Sequence, residues 1–338
     1  MPPAEALVAP QTPAWAWLVF AAIIVAALGA DLLIVDRRAH AQNLREAVLW
    51  SVAWVGLGVA FGVFTYFVLG HSSGLEYITA FLVEKSLSVD NLFIFIVIFN
   101  FFGVRPEFQH RTLFWGILGA IIMRGIMIFA GVALLREFEW LVFVFGAILI
   151  ISGVKLLLSR QEAYDPSHSL VYRVVRRYVP LTPAYDGHRF FTRCEGRLLA
   201  TPLFLVLVVI EGTDLVFAVD SIPACLAISR DPFIVYSSNI FAILGLRALY
   251  FVMAGAMRSL RFLKPALSVV LVFIGIKMVI AGFAHGRYKI PTHVSLIVVA
   301  AILGVAVAAS LLFPAPAPHS ATASEGQTPD PDGAAEKR

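Results

Sequence analysis

Cysteine is nearly missing, with two in 338 residues. Cys194 falls in a basic loop and Cys225 in an apolar run, so no disulfide between them is expected. Neither a CxxC redox pair nor a CxxCH haem-attachment motif is present. Charge is also scarce. Asp, Glu, Lys and Arg make up 14% of the chain, against about a quarter in soluble domains. Hydrophobic residues make up 59% and the mean hydropathy is +0.85, which excludes an ordinary soluble globular domain. No Lys or Arg precedes the first apolar run in "MPPAEALVAPQTPAWAWLVF". A secretory leader has a basic start and a small-residue cleavage site, so this run is expected to be retained as a span.

What is abundant is apolar sequence long enough to cross a bilayer, about 20 residues at a time. Nine such runs occur, near 14–35, 47–69, 78–102, 112–135, 139–158, 200–228, 233–256, 265–284 and 292–313. They predict an all-α polytopic membrane bundle of about nine transmembrane helices. With the N-terminus outside, seventeen Lys and Arg fall in cytoplasmic loops and the C-terminal tail, four in external segments and five inside spans. That bias sets the N-terminus outside and the C-terminus in the cytoplasm. The pI near 9.1 then reflects attraction to anionic lipid and does not imply nucleic-acid binding. The loop 159–199 contains "LVYRVVRRYV", whose alternating basic and apolar positions suit the inner membrane surface or a solvated linker. The tail 314–338, rich in Pro, Ala and acid, is expected to be disordered.

Two segments repeat each other. "EKSLSVDNLFIF" from Glu84 and "DLVFAVDSIPAC" from Asp214 align without gaps. Glu84 then matches Asp214, Val89-Asp90 matches Val219-Asp220, and Asn91 matches Ser221. Downstream, "ILGAIIMRGIM" places Arg124 where "IFAILGLRALY" places Arg247, and "LIISGVKLLL" places Lys155 where "LVFIGIKMVI" places Lys277. Each copy covers three spans, an odd number, so the copies must cross the membrane in opposite directions. That predicts an inverted repeat with a site near the midplane. The chain divides into two N-terminal spans (1–70), a first three-span repeat (78–158), the basic loop (159–199), a second repeat (200–284), a last span (292–313) and the tail.

Six acids fall within the spans: Asp31, Glu84, Asp90, Glu211, Asp214 and Asp220. Five bases join them: Lys85, Arg124, Lys155, Arg247 and Lys277. A charge at mid-bilayer costs about 2.5–3.5 kcal/mol on insertion scales, so each must face a partner or water. Pairing as interhelical glue is one reading. A site is the other, because buried ion pairs are a poor source of stability and the placement repeats. Glu84 and Asp90 are six residues apart, as are Asp214 and Asp220, so one straight helix sets them about 120° and 9 Å apart. Either acids from opposing spans converge, or the spans are broken; Gly212 and Pro223 in the long sixth span suit a break there or, equally, a plain kink at Pro223. All eight histidines fall in loops or at the ends of runs. Carboxylate, amide and carbonyl oxygen favour hard divalent cations such as Mg²⁺, Ca²⁺ or Mn²⁺. Cys225 reads as a small packing residue, and Asp31 as a helix-end or pairing residue.

"EKSLSVDNLF", "FAVDSIPA", "DPFIVYSSNIFAILGLRALYF" and "LVFIGIKM" resemble the TerC family, most closely its Alx-type members, over about residues 15–310. The resemblance implies a multi-pass bacterial inner-membrane protein linked to manganese export, or, by older labels, to tellurite resistance and alkaline-induced redox modulation. It carries the family's acidic positions to Glu84, Asp90, Glu211, Asp214 and Asp220. Gly212 and Thr213 depart from the bulkier or Ser positions expected there. The expectation is therefore a carrier and not an enzyme, coupled to protons or to the membrane potential and without a permanent cofactor. Glu84, Asp90, Asp214 and Asp220 would ligate Mn²⁺ with Asn91, Ser221 and nearby Glu211. Arg124, Lys155, Arg247 and Lys277 would compensate the empty site. A non-transporting scaffold or stress-response factor with structural charges is the alternative.

Overall fold

The computed structural model describes residues 12–35, 44–138, 140–158, 166–194, 197–256, 262–283 and 291–313; the tail 314–338 lies outside them. Five long helices come first: α1 (Ala14–Val35), α2 (Leu44–Leu69), α3 (His71–Phe101), α4 (Pro106–Glu137) and α5 (Leu141–Leu158). A 3₁₀ turn (Pro166–His168), α6 (Leu170–Tyr178) and a hairpin of β1 (Phe191–Cys194) and β2 (Arg197–Ala200) follow. The second half comprises α7 (Pro202–Ile228), α8 (Pro232–Ile243), α9 (Leu246–Ala256), α10 (Leu263–Phe283) and α11 (Thr292–Leu312). Proline opens α4, α7 and α8, where its fixed φ suits the first turn and its missing amide has no intrahelical partner to lose.

By length and composition α2, α4, α5, α7, α10 and α11 can each cross a membrane, and α8 with α9, bent by 41°, passes the same test as a pair, as a broken span or a re-entrant loop. Among the described residues, six helices therefore meet this length and composition test, or seven with the bent pair, against the nine apolar runs of the sequence. Helix α1 runs over Ala14–Val35, and Ala14–Ala30, the part whose side chains are described, is apolar. Helix α3 carries Glu76, Glu84, Lys85 and Asp90, and packs among α2, α7, α8 and α11, so Glu76, Glu84 and Lys85 need not meet lipid. It also starts earlier than the apolar run predicted, which puts Glu76 inside the helix. Outward positions are apolar instead: Leu18, Val25, Phe67, Ile126 and Ile297 are all at least 65% exposed. Such a surface is what a lipid solvent selects.

Of the two readings of the sixth span, the break is absent. Helix α7 runs unbroken through Gly212 and Pro223. Pro223 sits near the C-terminal end, and Ile222, Ala224, Cys225 and Leu226 around it are all buried; this packing holds the helix despite one lost hydrogen bond. The interruption lies between α8 and α9, at Gly245 (φ 80°). A Cβ there would come within 2.5 Å of Trp54 Cβ, so both conformation and space require glycine.

Helices α5 and α10 cross in close contact. A Cβ at Gly153 would lie 2.8 Å from the Ser268 carbonyl, and one at Gly275 would lie 2.9 Å from the Gly146 carbonyl. Elsewhere α3 packs on α7 and α8, and α4 packs on α7. The segment after α5 folds over the ends of α3 and α4. Tyr185 Oη donates to the Phe102 carbonyl at 2.7 Å, and burial raises its phenol above the usual range, keeping it a donor. The His188 ring meets Phe108 at 4.8 Å, and Arg111 lies over Phe190.

Candidate functional site

Four buried polar side chains from four helices meet in the interior. Glu84 stands mid-way along α3, Arg124 along α4, Asp214 along α7, and Asn239 within α8. Glu84, Arg124 and Asn239 are 0% exposed and Asp214 4%. Arg124 donates from Nε and Nη2 to the two oxygens of Asp214 at 3.0 and 2.9 Å. Its Nη1 donates to Glu84 Oε1 and, at 2.9 Å, to Asn239 Oδ1. The planar guanidinium fork suits this task, since it can take one carboxylate in bidentate fashion and still reach a second. Cys225 Sγ touches the same group, 3.8 Å from Glu84 Oε2 and 3.9 Å from Asn239 Nδ2.

Of the two arrangements open at the sequence level, acids from opposing helices do converge. Glu84 and Asp214, at matching repeat positions, meet on one cation. Asp220 is elsewhere: it is half-buried and accepts a 2.6 Å hydrogen bond from Ser152 Oγ of α5. A continuous α7 leaves Asp214 and Asp220 on different faces, as six residues of helix require. Glu211 is half-buried beside Asp214. Both line a cavity of about 20 Å³ with Phe95, Leu113, Ile117 and Leu246, enough space for about one water molecule. Gly119 makes that position possible, because a Cβ there would sit 2.2 Å from Glu211 Oε1. Asn91 is 5% exposed and Ser221 2%. Among the described residues the Ser221 and Ser88 hydroxyls are buried without a hydrogen-bond partner. The side chains of Asp90 and Asp31 lie outside the described residues. Among those described, no three His, Cys, Asp or Glu side chains gather as a metal-binding set.

The other bases are spread out. Lys277 Nζ donates to Ser295 Oγ at 2.8 Å, within electrostatic range of Glu76. Lys155 is exposed, and Arg247 is buried near the start of α9. Lys85, beside Glu84 in sequence, points the other way. Its ammonium donates to the Ala242 and Leu244 carbonyls at 3.0 and 3.4 Å. Those carbonyls end α8 at the break, where they lack helical amides and lie at the negative pole of the helix dipole. Sequence reasoning missed this role and also missed Asn239. The signal for Asn239 was present, as "YSSNIF" sets an amide next to two serines in a largely apolar span. Counting charges alone passed over it.

Residues 69–316 match the model of the Integral membrane protein TerC family. The chain is 50% identical over 304 residues to an uncharacterized membrane protein, STKORF319, of Myxococcus xanthus, covering 90% of this chain and 94% of that one. It is 45% identical over 298 residues to a Salmonella typhi protein named "Putative membrane-bound redox modulator Alx", covering 86% and 91%. The Escherichia coli K12 protein of the same name is 44% identical over 296 residues, covering 85% and 91%. No solved structure matches. A buried-charge bundle of apolar helices, matched in sequence over most of its length, belongs to the TerC family of integral membrane proteins.

Proposed function

We propose that this chain exports a hard divalent cation, most consistent with Mn²⁺, across the bacterial inner membrane through a midplane site between two inverted three-helix repeats. The observation that carries the reading is the convergence of Glu84 and Asp214 on the single guanidinium of Arg124. Two acids at matching places in two sequence copies create one buried pocket of negative potential, and an internal cation occupies it. With both carboxylates ionised, this set has a net charge of −1, so an incoming cation finds a favourable field and Arg124 is the group it must displace. The close approaches of α5 and α10 support the inverted pairing. Gly153 and Gly275 are separated by 122 residues, as are Gly146 and Ser268, so the two contacts exchange roles under an approximate two-fold rotation. The N-out, C-in orientation follows from the Lys and Arg distribution.

In this reading Asp90, Asp220, Asn91, Ser221 and Glu211 supply further oxygen ligands as the repeats rock between outward and inward states. Proton or potential coupling would reset the empty carrier, with Arg124 returning to Glu84 and Asp214. The choice of manganese comes from the TerC relationship, because an oxygen donor set accepts any hard divalent ion. A dithiol redox role has less support, as Cys194 is exposed on the hairpin and Cys225 is buried in α7. The satisfied Arg124 contacts favour one alternative, a non-transporting scaffold whose charges only join helices. Manganese flux separates the two. Purified protein in liposomes should move radiolabelled Mn²⁺ faster than protein-free vesicles, and Asp90→Asn and Asp220→Asn should reduce that flux about tenfold or more at equal incorporation. Wild-type protein that moves no manganese would reject the carrier reading.

A further inference from the structure

Helix α6 has three distinct faces, each built from residues spaced four apart. Val171 and Val175 point inward: Val175 is 8% exposed, and Val171 packs against the core. Leu170, Val174 and Tyr178 point outward, exposed by 70%, 47% and 74%. Arg173 and Arg177, with Arg176 next to them, are exposed alongside that apolar ridge. The helix contains no acid. Ser169 caps its start by accepting from the Tyr172 amide at 3.0 Å. Arg176 is braced by a 2.8 Å bond to Tyr172 Oη, and Arg177 lies over the Tyr178 ring.

The inward face fixes the depth of this helix. A Cβ at Gly212 would lie 2.5 Å from Val171 Cγ2, so α6 rests on α7 ten residues beyond Pro202. Ten residues are about 15 Å of helix, and the 27 residues of α7 span about 40 Å. Centred in a hydrocarbon core of about 30 Å, α7 then holds Val171 below the headgroups of the nearer leaflet. An exposed Leu–Val–Tyr ridge at that level faces acyl chains. The arginines reach back to the headgroups, as long basic side chains do.

We infer that the outward face of α6 binds anionic phospholipid in the cytoplasmic leaflet, and that this lipid clamps Val171 onto Gly212, between Glu211 and Asp214 of the candidate site. The apolar ridge supplies insertion, and three arginines supply charge complementarity to phosphate. The inference rests on the cytoplasmic placement proposed above. Labelling of Cys194 from one side of the membrane tests that placement separately.

Hydrogen exchange of the whole protein in nanodiscs tests the inference without any transport measurement. Amides of residues 172–178 should exchange about tenfold more slowly in phosphatidylglycerol discs than in phosphatidylcholine discs. The triple variant Arg173→Gln, Arg176→Gln, Arg177→Gln should lose that difference. For the unmodified chain, raising salt to about 0.5 M, where screening acts over roughly 4 Å, should shrink it. Equal exchange of the unmodified chain in the two lipids would overturn the inference, as would lipid dependence that persists in the triple variant.

Discussion

At the scale of single residues, Arg124 is the group on which the interior depends. It is fully buried and is the partner of both Glu84 and Asp214. Removing one member of a buried ion set leaves uncompensated charge and costs about 3–5 kcal/mol, whereas removing the whole set is far milder. Arg124→Met should therefore destabilise the protein by about that amount. Glu84→Gln, Arg124→Met and Asp214→Asn combined should recover most of the loss. Denaturant unfolding in one detergent compares them. A single Arg124→Met variant as stable as the parent would show that the two carboxylates do not rely on the guanidinium.

Among elements, the α5–α10 crossing sets how the halves of the chain meet. At Gly153 and Gly275 the nearest obstacles include backbone carbonyls at 2.8 and 2.9 Å, which cannot rotate away as a flexible side chain can. Gly153→Ala and Gly275→Ala should each cost about 1–3 kcal/mol through overpacking, and by similar amounts because the contacts are reciprocal. Gly304→Ala in α11 is the control. Nothing lies within 4 Å of a Cβ there, so better helix propensity should make it neutral or stabilising by up to about 1 kcal/mol. Thermal unfolding of the three variants reads both effects. The α8–α9 break belongs to this scale as well: glycine permits the bend, and Lys85 satisfies the carbonyls the bend exposes.

Over the whole molecule, orientation is the property with most consequence, because the proposed export has a direction only relative to the two sides. The two native cysteines provide a direct measurement. Cys194 is exposed on the hairpin and Cys225 is 0% exposed. A membrane-impermeant maleimide should label the intact protein only in inverted vesicles, and a Cys194→Ser variant should remain unlabelled on either side. Labelling of right-side-out cells would place the 159–199 segment outside and reverse the proposed direction.

Much of this was legible in the residues themselves. Apolar length and a low charge content specify a helical membrane bundle, since a backbone in lipid must satisfy its own hydrogen bonds. The matched order of acid, acid, arginine and lysine marks Glu84, Arg124 and Asp214 in the sequence, and the fold brings the three into contact. Helical periodicity also separated Asp214 from Asp220. Tertiary structure decided the remainder, because it depended on which faces meet. Pro223 permits a break but does not compel one, and buried neighbours keep α7 whole. Gly245 occupies the bend because its φ of 80° and the Trp54 side chain against it leave no room for a Cβ. Lys85 and Asn239 take their roles from α8 passing next to α3 and α4, a contact between segments more than 100 residues apart that local pattern does not encode.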